Sequence, residues 1–116
     1  MWSVDIELVA AWLASLDSSS QAQVVAAIEL LGEQGPHLGR PLVDTIKASR
    51  HKNMKELRPG STGRSELRIL FAFDPQRQAI LLIAGDKSGS WDRWYKQNIP
   101  IADDLFDKHL HALRGE

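Results

Sequence analysis

Residues 65–84 read Ser65-Glu66-Leu67-Arg68-Ile69-Leu70-Phe71-Ala72-Phe73-Asp74-Pro75-Gln76-Arg77-Gln78-Ala79-Ile80-Leu81-Leu82-Ile83-Ala84. Leu67, Ile69, Phe71 and Phe73 alternate with Arg68, Leu70 and Ala72, the period of a strand with one face on a core. Asp74-Pro75 stops that strand. Ala79 to Ala84 is continuously apolar, which suits a central strand buried on both faces. Only four residues, Pro75 to Gln78, separate Asp74 from Ala79, so the two strands are expected to pair as an antiparallel hairpin.

Working outward, Met54-Lys55-Glu56-Leu57-Arg58 reads as a preceding strand, closed by the breaker-rich turn Pro59-Gly60-Ser61-Thr62-Gly63. Residues 36–53 carry Pro36, Gly39 and Pro41 and read as a loop with one turn or short strand near Val43–Ile46. Upstream, residues 2–6 alternate as a short edge strand. Residues 8–16 read as a helix, Asp17 to Ser20 supply N-cap candidates, and Ala22, Val25, Ile28 and Leu31 repeat at helical spacing over about 19–33. Gly32 or Gly35, with Pro36 beyond, would end that helix. At the far end Pro100 is placed where a last helix would begin, with Asp103 and Asp104 in its first turn. The resulting expectation is a single α+β domain over residues 1–116. An N-terminal helical hairpin packs on a small, mainly antiparallel sheet, and a C-terminal helix follows.

Length and composition agree with one domain. The chain has 116 residues, 43% hydrophobic and 25% charged, which is ordinary for a globular core. It has no cysteine, which excludes disulfides, thiolate-metal sites and cysteine nucleophiles. No apolar run reaches the length of a membrane span and no basic, apolar leader opens the chain, so a cytoplasmic protein without membrane contact is expected. Net charge is −1 but unevenly placed. Residues 1–39 hold acids and no Lys or Arg, whereas residues 40–68 hold eight bases (Arg40, Lys47, Arg50, Lys52, Lys55, Arg58, Arg64, Arg68) against three acids (Asp44, Glu56, Glu66). A basic centre in a neutral chain points to an anionic surface met there, or to pairing with the acidic N-terminal helices.

Strand parity sharpens this. If Leu57 and Leu67 face the core, Glu56, Arg58 and Arg68 share the other face. Two guanidiniums and a carboxylate there fit a phosphate site, because a planar fork of donors matches phosphate oxygens. The same pattern fits a plain salt-bridged surface in which Arg58 and Arg68 pair with Glu56 or Glu66. Lys87 follows the strand end at Gly85, where ligand groups gather. Tyr95, the one tyrosine, lies between Arg93 and Lys96 and can move a proton or stack on a base; with Trp91 and Trp94 it can equally seal the core. His51, in the basic loop, is the histidine kept as an RNA contact or proton donor. His109 and His111, two apart on a helix, point apart and cannot share a metal. No metal or cofactor motif is present.

Six runs carry a family resemblance: Pro41-Leu42-Val43-Asp44, Met54–Arg58, Arg68–Asp74, Gly85-Asp86-Lys87, Arg93-Trp94-Tyr95 and Ile99-Pro100-Ile101-Ala102-Asp103. In this order they resemble the Gp49-like/HigB branch of the RelE/ParE toxin superfamily over almost the whole chain. The resemblance implies a compact, microbial-RNase-like α+β fold. It implies a type II toxin acting as a ribosome-dependent mRNA endoribonuclease by metal-free attack of the 2′-OH, with no cofactor. The implied partners are a helix-turn-helix, HigA-like antitoxin, the ribosome and mRNA.

Carried onto this sequence, the resemblance gives Arg68 contact with the scissile phosphate, makes Lys87 and Arg58 further catalytic cations, and assigns Tyr95 a catalytic or stacking role. Beside that carry-over, the basic residues Lys55, Arg64, His51, Lys52 and Arg93 are expected to bind RNA, and Glu56 is a proton-transfer candidate. The sequence departs from the pattern where RelE has lysines, at Met54 and Glu56, and in lacking a recognisable histidine–aspartate cluster near the C-terminus. Two other functions fit the same superfamily: a ParE-like gyrase inhibitor, and a toxin-fold protein that only binds its antitoxin.

Overall fold

A computed structural model describes residues 1–60 and 66–115 of the chain. Strand β1 is Ser3–Asp5; a 3₁₀ turn leads into α1, Ala10–Ser15, and then α2, Ser18–Gln34. Strands β2 (Val43–Thr45), β3 (Met54–Leu57), β4 (Leu67–Phe73) and β5 (Gln78–Asp86) precede the long helix α3, Trp91–Leu113. The sheet order is β1-β5-β4-β3-β2, antiparallel except for β1 against β5. The α+β fold expected from the sequence is therefore the one observed. Strand β5 is an interior strand, as its apolar run implied, flanked by β1 and β4, and β4 is the middle strand of the five.

The sheet is covered on both faces. Leu67, Ile69 and Phe71 of β4 pack with Leu57, Val24, Ala27 and Leu31 under the helical hairpin. Leu70 and Ala72 point the other way and pack with Met54, Ile80, Leu82 and α3 residues Ile99, Ala102 and Phe106. Removing each large side chain of these layers from water contributes about 1.5–3 kcal/mol. Asp17 caps α2 by accepting the Ser20 N–H at 3.1 Å, and the Ser20 side chain first and its N–H second hold the Asp17 carboxyl below the usual range. The buried stripe of α2 is Val24, Ala27 and Leu31, with Ile28 packed beside it; of the residues the spacing selects, Leu31 and Ile28 meet the core, whereas Ala22 and Val25 are exposed.

Two differences at the C-terminal end matter for the site. Helix α3 starts at Trp91, nine residues before Pro100, so the aromatic run belongs to the helix and Asp103 and Asp104 lie in its middle. Pro100 removes the bond to the Lys96 carbonyl, but both residues are exposed, so water can satisfy that carbonyl. A β-bulge between β4 and β5 pairs Leu70 with Ile83 but Phe71 with Leu81. The extra residue flips the parity of β5, so Leu82 and Ile83 both pack on the α3 side and Gly85 faces α3 opposite Arg68. There a Cβ would meet the Trp94 indole nitrogen at 2.6 Å, so only a glycine lets the first turns of α3 approach the sheet this closely. Among the described residues, no helix is long and apolar enough to cross a membrane.

Candidate functional site

The site forms where β3 and the end of β5 meet the start of α3. Strand parity puts Glu56 on the α3 face, where its side chain is 6% exposed. Tyr95, one turn into α3, donates its hydroxyl to Glu56 Oε1 at 2.6 Å. Arg68 Nε approaches the same oxygen at 3.3 Å, and Arg58 Nη2 donates to Oε2 at 3.4 Å and to Asp44 Oδ2 at 3.2 Å. One buried carboxylate thus joins three of the residues singled out in the sequence. Burial first, and the Glu56 hydrogen bond second, push the Tyr95 hydroxyl up to about 12, so it stays protonated at neutral pH.

Glu56, Arg58, Lys87 and Tyr95 line one cleft of about 630 Å³, together with Lys47, Glu66, Trp91 and an apolar side made by Ile46 and Ile99. The Lys87 ammonium is 3.8 Å from Glu66 and 5.9 Å from the ring centroids of both Trp91 and Tyr95. Arg68 does not line this cleft. It stands behind Glu56, gives one N–H to its neighbour's carbonyl on Leu67, and acts on the cleft through the carboxylate. The Nε atoms of both Arg58 and Arg68 are buried without an aligned hydrogen-bond acceptor. Such donors are rare in folded proteins, and for Arg68 the Glu56 carboxylate at 3.3 Å offsets the missing bond by charge. Of the two readings of this strand face, the ion pairs are the one observed: Glu56 ties Arg58 at the cleft and Arg68 behind it.

The remaining expected residues lie elsewhere. His51, Lys52 and Lys55 line a second cleft of about 590 Å³, with Asp74 and Phe106. His51 Nε2 is 2.7 Å from Asp107 Oδ1, and its ring stands edge-on to Phe106. Arg93 lines a shallow hollow along the first turns of α3 with Asp92 and Lys96. Arg64 falls outside the described residues. A histidine–aspartate element that the sequence reading did not find is present: besides His51–Asp107, His109 Nε2 meets the buried Asp74 carboxylate at 2.8 Å. These partners are more than thirty residues apart in sequence, so no local motif signals them. Arg50 extends the tie, bonding Asp104 at 2.8 Å and also Asp107, whose carboxyl the guanidinium holds below the usual range. Lys47 and Trp91 were also missed as cleft residues. Lys47 was visible only as one base in a basic segment, and Trp91 only as part of an aromatic run.

An α+β domain with helices on both faces of one mainly antiparallel sheet agrees with the fold class the resemblance implied. The chain belongs to the Gp49-like family: the family described as phage-derived protein Gp49-like matches residues 11–107. Two relatives come from Mycobacterium tuberculosis strain H37Rv. The protein named "Putative toxin HigB2" is 62% identical over 109 residues, covering 94% of this chain and 54% of the relative. The one named "Putative toxin HigB3" is 53% identical over 104 residues, covering 90% of this chain and 89% of the relative. The chain thus spans about half the length of the first and most of the second.

Proposed function

We propose that the chain is the toxin of a type II toxin–antitoxin system and cuts mRNA in the ribosome by transesterification. Family membership and the names of both relatives support the toxin reading. The observation that carries the chemistry is the convergence of Tyr95, Glu56, Arg58 and Lys87 on one cleft. The ribose 2′-oxygen attacks the adjoining 3′-phosphate. Its proton passes to Tyr95 Oη as Tyr95 hands its own proton to Glu56 Oε1. The P–O5′ bond breaks, and the leaving oxygen takes a proton from Lys87 Nζ. The ends left are a 2′,3′-cyclic phosphate and a 5′-hydroxyl, with one proton gained by Glu56 and one lost by Lys87. Because the Tyr95 hydroxyl stays neutral, it serves as a relay to the carboxylate rather than as a free tyrosinate base.

Arg58 would meet the charge developing on the phosphorane oxygens, a role worth about 10²–10³ in rate for a single donor. Arg68 would hold Glu56 and add positive potential from behind it. This sequence of steps calls for no metal or cofactor. Lys47 carries no ion pair among the described residues and adds positive charge at the cleft mouth. Lys52, Lys55, His51, Arg93 and Arg64 would meet RNA backbone away from the scissile bond by charge. The cognate partner would be a helix-turn-helix, HigA-like antitoxin, and the site of action the cytoplasm. Inducing the chain alone in bacteria and mapping mRNA 5′ ends tests the reading. New ends inside translated codons that vanish when translation is blocked are expected. Growth arrest with intact mRNA would point instead to gyrase inhibition, and soluble protein with neither arrest nor cuts to a binding-only role.

A further inference from the structure

We propose that the Trp91 indole is the platform on which one unpaired nucleobase stacks while the phosphate joined to it meets Arg58 and Lys87. The inference rests on the ribonuclease reading and adds a base-binding subsite to it. Trp91 is the first residue of α3 and is 59% exposed, whereas Trp2, Trp12 and Trp94 are all partly buried. Its ring contact with Tyr95 is edge-on, centroids 6.4 Å apart at 70°, and the Lys87 ammonium lies over one side of the ring, so a base would stack on the exposed part of the indole that these two neighbours leave uncovered. It borders the same cleft as the cations.

The cleft is divided in character. Trp91, Tyr95, Ile46 and Ile99 make an aromatic and apolar part, and Arg58 and Lys87 make a cationic part. The Lys87 ammonium, 5.9 Å from the Trp91 centroid, sets the two parts within the reach of a single nucleotide. A ligand with a flat, apolar face joined to an anion fits both parts at once, and in RNA that ligand is a nucleobase with its phosphate. Stacking is tolerant of sequence because every base has a π-face. The subsite would therefore hold the substrate in place with little preference among the four bases.

Single-turnover cleavage on ribosomes carrying a defined mRNA tests this, comparing the unaltered chain, Trp91→Ala and Trp91→Phe. An abasic ribose is also placed in turn at each position of the cut codon. Loss of one stacked base corresponds to roughly a 5- to 150-fold loss. Trp91→Ala is expected to lose that factor, with Trp91→Phe keeping most of the rate. At one codon position the abasic ribose should slow the unaltered chain by the same factor and leave Trp91→Ala no slower. Because Trp91 is exposed, the melting curve of Trp91→Ala should match that of the unaltered chain. Cleavage that is normal in Trp91→Ala, or equally sensitive to the abasic ribose in both, overturns the subsite while leaving the ribonuclease reading intact. No cleavage by the unaltered chain overturns both.

Discussion

Replacing Glu56 by Gln removes one negative charge and almost no volume, and its consequences can be worked out from the contacts. The amide can still accept the Tyr95 hydroxyl, but it no longer balances Arg58 and Arg68. A hydrogen bond to a charged group contributes about 1.5–3 kcal/mol and a neutral one about 1 kcal/mol, so each of three partners loses on the order of 1 kcal/mol. Arg58 keeps Asp44 at 3.2 Å and is partly solvated, which softens its share. The net cost is about 2–3 kcal/mol, or roughly an 8–12 °C fall in melting temperature for a domain of this size. The proton relay loses its acceptor as well, so cleavage should fall by about 10²-fold or more.

Tyr95 gives a second readout. It is the only tyrosine in the chain, so tyrosinate absorbance reports this hydroxyl alone. In the native protein ionisation is delayed to about pH 12, by burial and then by the Glu56 bond. Glu56→Gln weakens that bond, removes the carboxylate charge that opposes tyrosinate and leaves Arg68, which favours it, so ionisation should move to lower pH. The sign for stability follows. The folded value lies above the unfolded one, so Tyr95 supports the native state below pH 10, and that support is lost as pH rises from 10 to about 12. Thermal melts at neutral pH and alkaline absorbance titrations on both proteins decide the matter. A Gln variant that melts with the native protein and ionises at the same pH would refute the view that Glu56 organises the site.

Three further outcomes are expected. Arg68→Ala should lower mRNA cleavage by about 10²-fold while the protein remains folded by circular dichroism, and normal cleavage would remove Arg68 from the site. Gly85→Ala places a methyl against the Trp94 indole and should cost about 1–3 kcal/mol in chemical denaturation, with a smaller loss counting against the close approach of α3 to the sheet. Asp107, held below its usual range by Arg50 and then by His51, lends stability present above about pH 4 and lost as pH falls further. Arg50→Met should therefore show a shallower drop in acid melts than the native protein.

Much of the fold was legible in local periodicity. The alternation from Leu67 to Phe73 placed β4, and the breaks around Asp17 and Gly35 bounded α2. Strand parity alone brought Glu56, Arg58 and Arg68 to one face, because parity is a local property of each strand. What could not be read was set by distant parts of the chain. The β4–β5 bulge reverses the faces of β5 without any glycine or proline at the bulge itself. Pro100 suggests a helix start, but its exposed position makes an interior site affordable in α3. The pairs His51–Asp107 and His109–Asp74 exist only because α3 packs across the sheet. Lys55, next to Glu56 in sequence, belongs to a different cleft by strand parity, and Lys52 lines that cleft with it.

The chemical form of the cut ends tests the central claim most directly. Purified protein added to ribosomes programmed with a defined mRNA should leave a 2′,3′-cyclic phosphate on the upstream fragment and a 5′-hydroxyl on the downstream one, with both lost in Tyr95→Phe. Fragments ending in a 3′-hydroxyl and a 5′-phosphate, or mRNA left intact, would contradict it.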